Sequence, residues 1–465
     1  MFKKFVISLI LLIMIFGFGY FLFKSYPNFR APQVENEQIV EVELEFWGLW
    51  DNSDDWKKII EKFEKNTNEF NGQKVKVKIN YTKKDFASYR EDIEKAKEKN
   101  NNPNIFFVNN NWFNDYKNNL ESLSGNMAYQ KEYELLSYDE VSDIYSANTL
   151  IDFVAENLLY SIPLYTDSLA LYYNKDLFQK AGIEKPPKSW AELKKNVMRL
   201  TVFGKKDSLT QSGVAFGTGE NINRSSDVLS LLVMQGGGKV IDGNGKIDIN
   251  KEIEVSTIEG VEKRDPGKRA ISFYAEFSDP QKEIYSWNAD QENSVQSFAD
   301  GKLAMMFGYS YQIQNLLSLN PDLNYGVAPM PQLENSTVIN FSNTFFPVVS
   351  KDNNCKVNLV ELSDKVDCSK IAWSFLSFAT NKENSELYLN STNKAAARKD
   401  LIQKQTQDSS HIGVFASQAE SAVSYNKFSD EIDNILVNML DEINLDQENI
   451  DEKVDKAVRK IEDLK

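Results

Sequence analysis

The sequence predicts an α/β protein of two lobes standing behind an N-terminal transmembrane helix. Three observations carry that reading. The chain has 465 residues, and single hydrophobic cores stop growing at roughly 250–300 residues, so two lobes are expected. Between residues 40 and 109 the pattern alternates strand, helix, strand, helix, strand, the order that builds a largely parallel sheet. Residues 5–23, FVISLILLIMIFGFGYFLF, form an unbroken apolar run.

That run sets the compartment. At about 1.5 Å rise per residue it spans the hydrocarbon layer of roughly 30 Å. Lys3 and Lys4 precede it and Lys24 follows, so an inside N-terminus and an outside body are expected. No convincing small-x-small cleavage site follows the core, and no cysteine lies near it to carry a lipid. An uncleaved signal anchor over 1–24 is the first expectation, with late cleavage near Ala31 as the alternative. Residues 25–39 are polar, contain two prolines and read as a tether.

Each element follows from its periodicity. VEVELEFWGLW (40–50) alternates and reads as a first strand. The next segment offers Asp51, Ser53 or Asp54 as a helix cap, ahead of an apolar face of Trp56, Ile59, Ile60 and Phe63. VKVKINYT (75–82) is a second strand, SYREDIEKAKEKN a helix and NIFFVNN a short buried strand. Further on, SLALYYNKDLFQKAG (168–182) reads as a strand running into a helix that stops at Gly182. Ser189 opens the next helix, with Glu192 placed for a capping box. VLSLLVMQGG is a buried helix with a glycine stop. DGNGKIDIN (242–250) resembles a calcium loop, but Lys246 stands where a ligand is needed and Ile247 replaces the turn glycine, so a β-hairpin is expected. Amphipathic helices close the chain, with Ile432, Ile435, Leu436, Met439 and Leu440, then Val454, Val458 and Ile461.

Composition narrows the function. The formal charge is −15, and the first 30 residues carry only positive charges, so the body is more acidic still. Nucleic acid is therefore not an expected partner, because its phosphates need a basic face. An anionic membrane surface is disfavoured for the same reason. His411 is the single histidine, which leaves no Cys/His zinc site and little room for a Ser-His-Asp triad. No metal site, cofactor or catalytic residue is expected. Cys355 and Cys368 lie 13 apart in a polar stretch, and in an oxidising compartment a disulfide between them is expected, two independent thiols being the alternative.

The segment LLYSIPLYTDSLALYYNKDLFQKAGIEKPPKSWAELKK (158–195) resembles the signature stretch of the maltose-binding-protein-like, sugar-type extracellular solute-binding proteins. The matching positions are Tyr160, Pro163, Tyr173-Asn174-Lys175-Asp176 and Pro187-Lys188-Ser189-Trp190-Ala191-Glu192-Leu193. FADGKLAMMFGYSYQI (298–313), NYGVAPMPQ (324–332), AWSFLSFATNKENSELYL (372–389) and KAAARKDL (394–401) are similar to further family stretches in the same order. The resemblance implies the periplasmic-binding-protein fold, type II-like, with a ligand cleft between lobes joined by hinge strands. It implies an interleaved chain: first lobe 40–166, second lobe 167–334, a return to the first over 335–392, and second-lobe helices over 393–465. It further implies a monomeric, non-enzymatic receptor on the outer face of the bacterial membrane. Such a receptor captures a small-molecule solute, a carbohydrate first, and delivers it to the permease subunits of an ABC importer.

A sugar site calls for aromatic plates and for Asp, Glu, Asn and Arg side chains that bond hydroxyls. Ligand groups in such lobes meet loops at the carboxyl ends of the strands. The first-strand end offers Trp47, Trp50 and Asp51. The loop after the third strand offers Asn110, Asn111 and Trp112, with Asp115 beyond them, and the first crossing offers Tyr165 and Asp167. GTGENIN (217–223) offers Glu220 and Asn221, and FSNTFF (341–346) offers Asn343 and Phe345. Tyr311 stands where the maltose-binding relative stacks an aromatic on its ligand, and Arg398 lies in the late motif, where it could instead bridge lobe and helix. Trp56 and Trp190 sit at helical spacing among apolar residues and read as core. A polyamine, a peptide or another small solute is an alternative ligand, since Asp51, Asp115, Asp167 and Glu220 could converge. A secreted glycoside hydrolase needs only two carboxylates, but no barrel-like repeat supports it. A surface sensor role is a third alternative.

Overall fold

The computed structural model describes Met14 and residues 39–464, except 71, 124–136, 157, 243–245, 258–259, 353–354, 359–365, 408–409 and 425–429. The first lobe is built as the alternation predicts. In β1 (Val40–Gly48) the even positions Val40, Val42, Leu44 and Phe46 are wholly buried. Helix α1 (Ser53–Asn66) packs Trp56, Ile59, Ile60 and Phe63 inward. Its N-cap is Asn52, whose backbone N–H donates to the Asp55 carboxylate at 2.7 Å; the expected caps Asp51, Ser53 and Asp54 are displaced by this reciprocal arrangement. Strand β2 (Gln73–Lys83) runs parallel to β1 along its whole length, from Val40 opposite Val75 to Gly48 opposite Lys83. After α2 (Tyr89–Glu98), β3 (Ile105–Asn109) joins the other side of β1, again parallel.

The second lobe centres on β4 (Ala170–Asn174), which feeds α3 (Lys175–Lys180); the Asn174 side chain caps it by accepting the N–H groups of Asp176 and Leu177. The helix stops at Gly182, whose φ of +66° suits a residue without a Cβ. In α4 (Trp190–Leu200) the Ser189 hydroxyl caps Glu192, while the Glu192 carboxylate reaches Lys188 N–H at 2.7 Å, one residue earlier than a capping box requires. Helix α5 (Ser225–Gln235) is buried at every position. Ile241 and Ile247 form an antiparallel bridge, as a hairpin over 242–250 implies; its tip lies outside the described residues. Strands β5 (Met305–Gly308) and β6 (Tyr325–Ala328) flank β4, both antiparallel to it.

The chain then returns to the first sheet as β7 (Phe345–Val349), antiparallel to β3, with Phe345 opposite Asn109. A short β8 (Lys356–Val357) covers the start of β1. Cys355 and Cys368 are joined in a disulfide that ties β8 to the start of α6 (Cys368–Ala379). Helices α7 (Asp430–Leu445) and α8 (Ile450–Glu462) close the second lobe on Leu436, Met439, Leu440, Val454, Val458 and Ile461.

Two hydrophobic cores result. One gathers side chains from 40–165 and 346–402; the other holds the middle of the chain and the last helices. Residues 393–465 were expected wholly in the second lobe, yet Ala396, Ala397, Leu401, Ile402 and Ala419 pack into the first core. The reason is pairing: Ala395 and Ala396 bond antiparallel to Thr166 and Tyr165, so the segment is drawn to the crossing. Four stretches lie side by side there. Ser168 bridges Ser342, Leu169 N–H donates to Phe341 C=O at 3.0 Å, and Asn340–Phe341 pairs in parallel with Ala422–Val423.

Asp167 is the polar centre of this ribbon and is buried. Its carboxylate accepts Ser310 N–H at 3.1 Å and Ser310 O–H at 2.8 Å from the second lobe, and Ser168 N–H at 3.0 Å. Its own N–H donates to Thr344 Oγ1 at 3.1 Å. Burial pushes its pKa up to about 7, against the pull of the Ser310 donors and of Lys394. Asp152, bonded to Asn110 and Ser424, is likewise pushed up by burial, to about 6.

Two predictions follow from this frame. The folded state holds the Asp167 proton more tightly than an unfolded chain does, so its contribution to stability falls as pH rises from about 4 to about 7 and is level above that. Asp167→Asn should remove this part of the slope, on the order of a few kcal/mol, in denaturant titrations between pH 4 and 8; an unchanged slope refutes the assignment. Removing the disulfide by Cys355→Ser with Cys368→Ser should cost about 3 kcal/mol or less, as expected for a closed loop of this length, read as a lower urea midpoint.

Candidate functional site

Because β1, β2 and β3 are parallel, their carboxyl ends reach the same edge of the first lobe, and β7 starts there because it runs the other way. Each of the four connections delivers an aromatic ring to that edge: Trp50 after β1, Phe86 after β2, Trp112 after β3 and Phe345 at the start of β7. Trp50 and Phe86 lie with ring centroids 5.0 Å apart, and Phe86 stacks on Trp112 at 6.0 Å and 16°. Phe345 meets all three edge-on, at 5.8 Å from Trp50, 6.0 Å from Phe86 and 5.3 Å from Trp112. Trp112 is buried, whereas Trp50 and Phe86 remain 47% and 46% exposed. Two large rings in contact with each other and left half open form a ready apolar surface.

The loop carrying Trp50 is held from behind. Gly48 has no Cβ, and one there would fall 2.0 Å from the Tyr81 hydroxyl; the ring can therefore cross β1 and donate to the Asp51 carbonyl at 2.9 Å. The Asp51 carboxylate is buried against Lys394 Nζ at 2.6 Å and accepts the Tyr388 hydroxyl at 2.6 Å. Lys394 also sits 4.1 Å above the Tyr165 ring. Asp51 and Tyr165 therefore position the edge and do not line it.

Across from the rings stands the second lobe. Arg90, on α2, lies 5.1 Å over Trp112 and pairs both with Asp115 of its own lobe at 3.0 Å and with Asp430, the first residue of α7, at 3.2 Å. Tyr311 is 52% exposed and directly follows Ser310, the residue that Asp167 holds. Its neighbour Tyr309 is buried and donates to Asp227 at 2.6 Å, and Arg224 bonds the same carboxylate oxygen at 2.6 Å while lying 5.5 Å over the Tyr309 ring. Burial, then the neighbouring Asp227, pushes the Asp433 carboxyl up; Ser226 donates to it. Tyr311 of the second lobe and Phe345 of the ring cluster each follow a residue bonded to Asp167, and beside Trp112 Arg90 pairs with Asp430 of the second lobe.

The other expected residues fall elsewhere or are engaged. Trp47 is half-buried and packs against the first-lobe core, beneath the Lys84 ammonium at 3.7 Å. Asn110 is fully buried, donating to Asp152 and to the Ser342 carbonyl. Asn111 donates its N–H to Asn109 and Asn110, and Asn343 accepts from Asn109 at 2.7 Å. Asn221 is spent on the carbonyls of Asn288 and Gln291 and on the Trp287 indole N–H. Glu220 is exposed, and its backbone N–H is bound by Asp441. Arg398 is buried, bonding Asp400 through two nitrogens and the Thr380 carbonyl through a third, which is the structural bridging role. Trp56 and Trp190 are core, as their spacing indicated. Phe86 was missed, although it sits in a polar loop directly after a strand, the same signal that singled out Trp50 and Trp112. Lys394 and Arg90 were missed because their partners Asp51 and Asp430 are distant in sequence; Arg224 was missed although its carboxylate partner Asp227 is only three residues on. Among the described residues no three His, Cys, Asp or Glu side chains converge to hold a metal ion.

Comparison with known proteins agrees with this architecture. A binding protein of Brucella abortus is 26% identical over 200 residues, 42% of this chain and 43% of that protein. The chain spans under half the length of the curated relatives it matches. Among solved structures, the cyclic α-maltosyl-1,6-maltose binding protein of Arthrobacter globiformis superimposes with a TM-score of 0.69 at 15% identity, covering 90% of this chain and 99% of that one. UgpB of Mycobacterium tuberculosis, in complex with glycerophosphocholine, does so with a TM-score of 0.66 at 16% identity, covering 90% and 97%. The family model for the bacterial extracellular solute-binding proteins matches residues 50–386, well over half of the sequence, and the chain belongs to that family.

Proposed function

We propose that this protein captures a saccharide between its lobes and delivers it to an ABC importer, without chemistry of its own. The observation that supports this best is the pair of half-exposed rings, Trp50 and Phe86, at the carboxyl edge of the first sheet, with the exposed Tyr311 on the second lobe. Sugars present apolar C–H faces that pack on such rings. The neighbouring cations are already matched: Arg90 by Asp115 and Asp430, Arg224 by Asp227, Lys394 by Asp51. A neutral ligand suits that balance better than a phosphate ester. The structural relative from Arthrobacter globiformis is a sugar-binding protein by its description, which agrees.

Ligand shared between Trp50 and Tyr311 bridges the lobes and shifts their open–closed equilibrium. The apolar run 5–23 lies outside the described residues apart from Met14, and among the described residues no helix is long and apolar enough to cross a membrane. We propose that this run tethers a monomeric receptor to the outer face of the membrane, which raises its effective concentration near a permease.

The test is thermal unfolding of the full-length chain in lipid nanodiscs against mono- and oligosaccharides, with glycerol 3-phosphate, polyamines and short peptides as comparators. A ligand at about a hundred times its dissociation constant adds roughly 2.7 kcal/mol of stability, so a saccharide should raise the midpoint visibly. A shift with a comparator alone transfers the site to that solute. Trp50→Ala and Tyr311→Ala should each weaken saccharide binding by about 1–3 kcal/mol in calorimetric titration; unchanged affinity in both sinks the site.

A further inference from the structure

We infer that Arg90 and Asp430 form a latch that holds the two lobes together in the ligand-free receptor and sets how readily its cleft opens. This goes beyond solute capture and does not depend on which solute is bound. Arg90 stands on α2, whose Tyr89 and Ile93 are packed in the first core. Asp430 begins α7, whose Leu436, Met439 and Leu440 are packed in the second. Each helix moves with its own lobe, so a swing of one lobe against the other draws apart the 3.2 Å contact between Arg90 Nη1 and the Asp430 carboxylate. Among the described residues no other ion pair joins a helix of one core to a helix of the other.

The surroundings let this contact release and re-form. Arg90 stays with the first lobe through Asp115 at 3.0 Å and through Trp112, over whose ring it lies at 5.1 Å. Its charge is therefore still matched once Asp430 has left, and no unpaired cation opposes opening. The Asp430 side chain is 61% exposed within the pair, so little water is stripped or restored in either direction. A pair this open to solvent contributes modestly, which suits an equilibrium that a bound solute has to shift. Asp115 and Asp430 also compete for one guanidinium, bonding its Nη2 and Nη1. Removing the charge of Asp115 therefore strengthens the hold of Asp430, and the two acids have opposite effects on closure. Trp112 joins the latch to the ring cluster, since it stacks on Phe86.

Electron–electron resonance distances in the full-length chain in nanodiscs test this without any ligand. Spin labels go on Lys57→Cys of α1 and Lys195→Cys of α4, both exposed positions, one on each lobe. The expected result is a closed and an open distance, whose closed-to-open ratio falls by about two- to fivefold on Asp430→Asn. Salt on the order of 1 M, where the Debye length is about 3 Å, should lower the wild-type ratio to the same level and leave the variant where it is. Asp430→Glu, which keeps the charge, should retain the wild-type ratio, and Asp115→Asn should raise it. A loosened fold would move both Asn variants the same way, so opposite shifts identify the latch. An unchanged ratio in Asp430→Asn, or a fall in both Asn variants, overturns it. Saccharide titration of the same chain is independent: failure to bind any saccharide ends the reading above and leaves the latch standing.

Discussion

The parallel pairing of β1 with β2 and β3 is the constraint on which the candidate site depends. Side chains in these strands alternate, so Val40, Val42, Leu44 and Phe46 go to the core and fix the register. Once the register is fixed, the direction of the strands decides where the connecting loops emerge. Three loops leave the sheet at the same edge, and the antiparallel β7 enters there. Aromatic residues from positions 50, 86, 112 and 345 can then meet, although no two are close in sequence. An antiparallel first sheet would have split them between opposite edges.

The second dependence is on the ribbon between the lobes. Asp167 ties three stretches together: its own crossing, the return through Thr344, and the second lobe through Ser310. Tyr311 follows Ser310, which the Asp167 carboxylate holds, and Phe345 follows Thr344, whose hydroxyl accepts the Asp167 N–H, so one residue anchors both stretches. Asp51 performs a related task, holding the Trp50 loop to Lys394, next to the pairing of Ala395 with Thr166. Both carboxylates are ligand candidates by sequence, and both are engaged here by internal partners. A buried acid needs partners, and the fold spends these two on its own geometry.

What was legible in the sequence was local. Period-two alternation gave β1 and β2, helical spacing gave the burial of Trp56 and Trp190, and glycine stops gave the helix ends at Gly182 and Gly236. Trp47, one residue on from the wholly buried Phe46, is only half-buried against the same core, and its place under Lys84 is set by a residue of another loop. The site was legible only in part, because its geometry is non-local. Nothing near Asp51 announces Lys394, more than three hundred residues later, and nothing near Arg90 announces Asp430. The four-ring cluster arises from strand direction, which composition does not encode. Arg398 shows the opposite case: a side chain in a suggestive motif whose nitrogens are all taken by Asp400 and Thr380.

The matched charges around the ring cluster carry a kinetic consequence. Arg90, Arg224 and Lys394 each sit within a few ångströms of a carboxylate, and opposite charges that close cancel one another beyond a Debye length of about 8–10 Å. These three cations therefore project little positive field of their own to draw in an anionic solute from afar. For a neutral ligand, as proposed above, encounter would be left to diffusion and to the fit of the exposed rings, a step that ionic strength alters little.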